Sequence, residues 1–118
     1  MVNRDRISSE RGYFCFYSKR FNLMNHNEFM KSTKLSTPPN NMDRIELALW
    51  YAVKDNWEMA HSIVQDINTD MAYLVHAYLH RVEGDLDNAQ FWYNCARKES
   101  SSESFKSELN KIIKSVFI

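Results

Sequence analysis

The segment "VHAYLHRVEGDLDNAQFWY", residues 75–93, contains the pattern that predicts the fold. Apolar residues recur at helical spacing on both sides of Gly84, and Asp85 follows this glycine directly. Glycine often ends a helix because it adopts the left-handed conformation without a Cβ clash, and aspartate is a favoured N-terminal cap. The segment therefore predicts a helix, a tight turn and a second helix.

A similar pattern occurs 29 residues upstream, where Ala60 aligns with Ala89. Small alanine side chains allow two helices to approach closely, so we expect two antiparallel helical hairpins between residues 42 and 96. The other aligned pairs are Ala48 with Ala77, Val53 with Val82, Asp55 with Gly84, Asn56 with Asp85, Trp57 with Leu86, Val64 with Tyr93, and Ile67 with Ala96.

A further helix is predicted after the polar run "ESSSE", in which Ser100 and Glu103 have the spacing of a capping box. The hydrophobic pattern of this helix is strongly amphipathic, so we expect its apolar face to cover the hairpins as a C-terminal capping helix. The fold class is therefore predicted as all-α. The expected apolar face is Phe105, Leu109, Ile112, Ile113, Val116 and Phe117, and the expected exposed face is Lys106, Glu108, Lys111 and Lys114.

The composition favours one helical domain. The chain has 118 residues, of which 44% are hydrophobic, but only two glycines and two prolines. So few turn-forming residues make an all-β sandwich improbable. Pro38 and Pro39 mark the clearest boundary, since the residue before a proline is disfavoured in a helix. We expect a helical-repeat domain over residues 42–118 and a poorly ordered arm over residues 1–41, which is an extension if translation begins at Met42.

The distribution of charged and apolar residues along the chain indicates which classes of binding partner to expect. Residues 1–37 have a net charge of +4, whereas residues 42–96 have three basic and nine acidic residues. An acidic domain is a poor match for a phosphate backbone, so no nucleic-acid partner is expected. The longest apolar run, residues 47–53, is too short to span a bilayer, so no membrane partner is expected. Two distant cysteines indicate free thiols and a cytoplasmic location.

The stretch "EGDLDNAQFWYNCA", residues 83–96, resembles the turn and second helix of a tetratricopeptide repeat. Gly84 matches the turn glycine, Ala89 and Ala96 the small residues, and Tyr93 an aromatic position. Residues 42–117 also look like a family of small bacterial helical proteins that share "W..AH.IVQD" and "HAYLHR.EGD" patterns. The first resemblance implies stacked hairpins that bind a peptide on a concave face.

We therefore expect a non-enzymatic interaction module that binds a protein or peptide segment. Leu74, Tyr78 and Arg81 are the predicted binding residues on the first helix of the second hairpin, with Arg81 holding a carboxylate. Trp92 is a further candidate because the three rings of "FWY" cannot all face inward on one helix. Self-association into a homo-oligomer through exposed aromatic side chains is another hypothesis. No cofactor, metal or catalytic residue is part of this interpretation.

The alternative is a metal-dependent or acid–base enzyme. His76 and His80 lie four residues apart, so both imidazoles fall on one helix face and could chelate a divalent metal. Glu83 lies about one turn further on, and His61 on the preceding helix could be a third ligand. The motif lacks the glutamate that follows the first histidine in helical zinc proteases. Histidines that donate hydrogen bonds inside a mostly buried helix are the simpler interpretation.

Overall fold

The computed structural model describes residues 24–117, which form helices and connecting segments without a strand. The predicted all-α class is therefore confirmed for this part of the chain. None of these helices is both long and apolar enough to cross a membrane. The six helices are α1 (His26–Ser32), α2 (Arg44–Val53), α3 (Trp57–Val64), α4 (Asp70–Glu83), α5 (Leu86–Ala96) and α6 (Phe105–Val116).

Each helix begins with the same kind of capping hydrogen bond. The side chain of the preceding residue accepts a bond from the backbone N–H three residues later, which satisfies a donor that the helix leaves unpaired. In α1 and α2, the glutamate at that third position also accepts a bond from the backbone N–H of the capping residue. The six capping residues are Asn25, Asp43, Asn56, Thr69, Asp85 and Ser104.

The turn between α2 and α3 has the same backbone pattern as the turn between α4 and α5. In both, one N–H donates to the carbonyl three residues earlier, and the next N–H donates to the carbonyl five residues earlier. Asp55 (φ 60°) and Gly84 (φ 92°) both take the left-handed conformation. The two positions thus match as the sequence alignment predicts, although Asp55 adopts this conformation without the freedom of glycine.

Helix α4 lies at the centre of the fold and packs against α2, α3, α5 and α6. Val75 and Leu79 of α4 belong to the main core, together with Trp50 of α2 and Ile113 of α6. A smaller cluster joins α4 to α5, where Ala77, Ala89 and Tyr93 are buried. The alanines permit close approach of these two helices, as the repeat pattern predicts.

The segment 24–41 differs from the expected poorly ordered arm. It contains α1, whose Phe29 is fully buried and packs against Phe117 with ring centroids 4.8 Å apart. The Trp50 indole donates to the Ser32 carbonyl, and Lys54 donates to two carbonyls of the following segment. Long-range contacts therefore hold a helix that is too short to be stable alone. The rest of the predicted arm, residues 1–23, lies outside the described residues.

Helix α6 packs against α2 and α4, in keeping with the predicted cover, but the prediction that Glu108 is exposed is wrong. Glu108 is only 6% exposed, and its carboxylate accepts bonds from Arg81 and from the Tyr93 hydroxyl. Position 108 lies beside positions 105 and 112 on the helix surface, so it belongs to the edge of the apolar face. A carboxylate can lie there because Arg81 supplies the opposite charge.

Candidate functional site

Three histidines meet between α3 and α4. His76 and His80 lie one turn apart on α4, and His61 comes from the facing side of α3. The Nε2 atoms of His61 and His76 are 3.1 Å apart, and one ring nitrogen from each histidine lies within 4.8 Å of the other two. The structure thus brings together the three histidines that the sequence suggested as metal ligands. We call them the histidine cluster.

Two tryptophans pack against the histidine cluster. The Trp57 ring stacks on His61 with a centroid distance of 4.7 Å, and the Trp92 ring stacks on His76 at 4.0 Å. The Trp57 indole also donates a 2.6 Å hydrogen bond to the Leu79 carbonyl of α4. Stacking on these large rings fixes the planes of the two imidazoles. The cluster is therefore held in place before any ligand binds.

Glu83 orients the ring of His80. The Glu83 Oε2 atom lies 2.6 Å from His80 Nδ1. An ionised carboxylate only accepts hydrogen bonds, so His80 Nδ1 donates to Glu83 and Nε2 is the ring nitrogen that does not face this carboxylate. This arrangement is typical of histidines that ligate metals, in which a carboxylate orients the ring and raises its basicity. Glu83 is therefore an orienting residue for His80.

The environment lowers the pKa of two histidines in the cluster. His76 is only 5% exposed, and this burial lowers its pKa to about 4, with a smaller contribution from the neighbouring His61 and His80. Burial also lowers the pKa of His61, again assisted by His80, while the Glu83 charge acts in the opposite direction. Both rings are thus neutral at pH 7, the form in which imidazole binds metal ions.

The low pKa of His76 predicts that the metal-free protein loses stability in mild acid. In the unfolded chain this histidine titrates near its ordinary pKa of about 6.5, so between roughly pH 6.5 and 4 the unfolded state binds the extra proton. We expect the free energy of unfolding to fall by about 2 kcal/mol over this interval. Urea unfolding in the presence of a chelator at successive pH values would measure the loss.

A His76→Leu variant tests the source of this pH dependence. Between these pH values, the free energy of unfolding of this variant should fall much less than that of the wild type. A variant of His26, which lies on α1 outside the cluster, should show the same fall as the wild type. An equal decline in all three proteins would assign the effect to other groups.

One nitrogen–nitrogen distance within the histidine cluster is close to that of a tetrahedral metal site. Two nitrogen ligands of a tetrahedral zinc ion, each about 2.0–2.1 Å from the metal, lie roughly 3.3 Å apart. The observed 3.1 Å between the His61 and His76 nitrogens is near this value. Without a metal, the same distance fits a hydrogen bond in which one Nε2 carries the proton. The arrangement can therefore act as a metal site or as a neutral hydrogen-bonded pair.

The predicted partner-binding residues are spread over two regions. Tyr78 is buried, Leu74 is half-buried, and Arg81 is paired with Glu108 of α6 at 2.9 Å. Arg81 also lies over the Phe105 ring, 4.8 Å from its centroid. Trp92 instead contacts the histidine cluster. The partner-binding face remains a prediction. In this structure, the Arg81 guanidinium is already paired with Glu108 of α6.

Trp57 was not identified from the sequence as part of the site. The spacing of Trp57 and His61, four residues apart on one helix, was the available signal, because residues at this spacing are neighbours.

Comparison of the chain with protein-family models, with curated proteins and with solved structures finds no match. Both sequence resemblances therefore remain predictions.

Proposed function

We propose that the protein binds one first-row transition metal ion, with Zn²⁺ as the best match, through His61, His76 and His80. The observation that carries the proposal is the convergence of one ring nitrogen from each of these residues within 4.8 Å. Imidazole nitrogen suits zinc, copper, iron and nickel, whereas Mg²⁺ and Ca²⁺ prefer oxygen ligands. The ligand set therefore predicts selectivity against the hard cations.

The surroundings of the histidine cluster support this proposal. Burial lowers the pKa of His61 and His76, so a metal ion need not compete with a proton on these two rings at pH 7. Because Glu83 binds His80 at Nδ1, Nε2 is the His80 nitrogen that remains for a metal ion. Trp57 and Trp92 hold two of the rings in fixed planes, which lowers the entropy lost on binding. The geometry of the histidine cluster therefore favours metal binding over the interaction module that the sequence predicts.

Full-length protein stripped with a chelator is expected to take up one Zn²⁺ per chain in equilibrium dialysis, but no Mg²⁺. A double variant, His76→Ala with His80→Ala, should take up none at the same free zinc concentration because only one ligand remains. The His26→Ala variant is the matched control, since it removes the one remaining histidine of the chain. Zinc at about 100 times its Kd should stabilise the wild-type fold by roughly 2.7 kcal/mol.

Two further variants separate metal binding from folding. A His76→Gln, His80→Gln double variant retains polar side chains, and circular dichroism establishes whether it is folded. Glu83→Gln keeps all three ligands and is expected to weaken zinc binding by about 10–100-fold. Zinc uptake by folded double variants equal to that of the wild type would contradict the proposal.

The second candidate function is the interaction module. It is favoured by two large apolar side chains that α5 leaves exposed, Leu86 at 65% and Phe91 at 56%. The resemblance to tetratricopeptide repeats supports a protein or peptide partner. A cytoplasmic location remains the expectation for either function.

The interaction candidate has its own test. A partner recovered by affinity purification with the wild type should be lost with a Leu86→Ser, Phe91→Ser variant, yet be kept by the His76→Ala, His80→Ala variant. Light scattering on the same proteins tests self-association. Equal recovery by all three proteins would contradict a partner site on α5.

A further inference from the structure

We infer that a metal ion held by the histidine cluster keeps one coordination position for water, and that this water attacks small uncharged carbonyl compounds. The inference rests on the metal-binding function proposed above and adds a class of reaction to it. It follows from the number of protein ligands, their charge, the exposure of the cluster and the charge of the surrounding surface.

The described residues supply three ligands to the ion. Glu83 and Asp85 are the carboxylates that lie near His80. Glu83 binds His80 Nδ1, on the other side of the imidazole from a metal ion at Nε2. The Asp85 side chain accepts a hydrogen bond from the backbone N–H of Asn88 and caps α5. Closed structural zinc sites have four protein ligands, whereas catalytic sites have three and bind water in the fourth position.

The charge of the ligands favours reactivity. Three neutral imidazoles leave the full double charge on the zinc ion, unlike thiolate or carboxylate ligands. In such sites, the pKa of zinc-bound water falls to about 7, so a nucleophilic hydroxide is present near neutral pH.

Solvent can reach the histidine cluster from one side. His76 and His80 are buried, whereas His61 is partly exposed and forms the outer edge. Trp57 and Trp92 are half-buried beside the rings, so the accessible side of the cluster is bordered by apolar surface.

The charge of the surface selects the substrate class. Residues 42–96 have six more acidic than basic residues, which disfavours phosphate esters and other anions. An uncharged ester or a similar small carbonyl compound is therefore the expected substrate.

The reaction balances as a hydrolysis. The proton lost from the bound water passes to solvent, and the hydroxide oxygen forms a bond to the carbonyl carbon. The bond from that carbon to the leaving oxygen then breaks, and the electron pair departs with the alkoxide or phenolate. The products are a carboxylate and an alcohol or phenol, and another water molecule refills the coordination position. No oxidant or reductant takes part.

Two measurements on the full chain test this inference. The first replaces zinc with Co²⁺ and follows the visible spectrum during titration with azide. An open position predicts a saturable spectral shift, and an unchanged spectrum means that the position is filled. The second measures hydrolysis of p-nitrophenyl acetate, which the zinc-loaded protein should catalyse severalfold faster than equal concentrations of metal-free protein or free Zn²⁺. The His76→Gln, His80→Gln variant should fall to the metal-free rate.

The outcomes distinguish this inference from the proposed function. One zinc per chain in dialysis, with no azide response and no added hydrolysis, overturns the reaction but leaves metal binding intact. No zinc uptake overturns both. An equal rate enhancement over free Zn²⁺ for p-nitrophenyl phosphate and for the acetate ester overturns the substrate class, since repulsion by the acidic residues should lower the enhancement for the phosphate.

Discussion

Replacing Arg81 with alanine is expected to lower the free energy of unfolding by about 3–5 kcal/mol. The Arg81 guanidinium lies 2.9 Å from Glu108, and both side chains are largely buried, at 14% and 7% exposure. The same guanidinium donates to the Glu103 carbonyl before α6 and covers the Phe105 ring. Its removal would leave the Glu108 charge buried without its cation, which costs more than the pair itself contributes.

Chemical denaturation followed by circular dichroism would measure the effect of Arg81→Ala. The matched control is Arg97→Ala, which removes an ion pair with Asp70 whose side chains are 79% and 56% exposed. Such exposed pairs often contribute nothing measurable, so this variant should resemble the wild type. The double variant Arg81→Met, Glu108→Leu should recover most of the loss because no charge remains buried. Equal stability of the Arg81→Ala and Arg97→Ala proteins would refute the structural role of the buried pair.

Trp50→Ala is expected to destabilise the fold by about 3–5 kcal/mol. Trp50 is 2% exposed in the main core, and its indole donates a 3.1 Å hydrogen bond to the Ser32 carbonyl at the end of α1. The variant therefore creates a cavity and also removes a link between α1 and α2. We expect faster proteolysis within residues 33–43 in addition to a lower denaturation midpoint.

The comparison variants for Trp50 separate these two effects. Trp50→Phe retains an aromatic ring but loses the hydrogen bond. It should lower the free energy of unfolding less than Trp50→Ala does, but it should still increase proteolysis within residues 33–43. Phe91→Ala removes a ring that is 56% exposed, and a change within about 0.5 kcal/mol is expected. If Trp50→Ala left proteolysis at residues 33–43 unchanged, the Trp50 side chain would not be what holds α1.

The helices were predictable from the sequence where local signals agree. Gly84 and Asp85 mark a turn without reference to the rest of the chain, and the upstream copy follows by alignment. The start of α6 was less certain, since Ser100 and Glu103 have capping-box spacing but Ser104 is the observed cap. Serine recurs through this segment, so several positions could cap a helix equally well, and packing of α6 decides between them.

Helix α1 was missed although Asn25 and Glu28 have the spacing of a capping box. A seven-residue helix is stable only through its tertiary contacts, here those of Phe29 and Ser32 with distant residues. Sequence patterns describe neighbours along the chain and do not reveal such contacts.

Only part of the histidine cluster could be predicted, because sequence patterns describe residues on one helix and not the packing between helices. Helical spacing placed His76 and His80 on one face, and the preceding helix supplied His61 as a candidate. The stacking of Trp57 and Trp92 depends on the relative positions of α3, α4 and α5, which helical periodicity does not define. The burial of Glu108 likewise depends on Arg81, which lies 27 residues earlier in the chain.

The similar turns at Asp55 and Gly84 bear on how fast the chain folds. Each turn joins two helices that pack on each other, so much of the structure forms between residues that are close in sequence. Chains with this property lose little entropy before their contacts form, and helical proteins of low contact order fold within microseconds to milliseconds. Rapid folding limits the time during which the apolar faces of α4 and α6 are exposed to solvent and can aggregate.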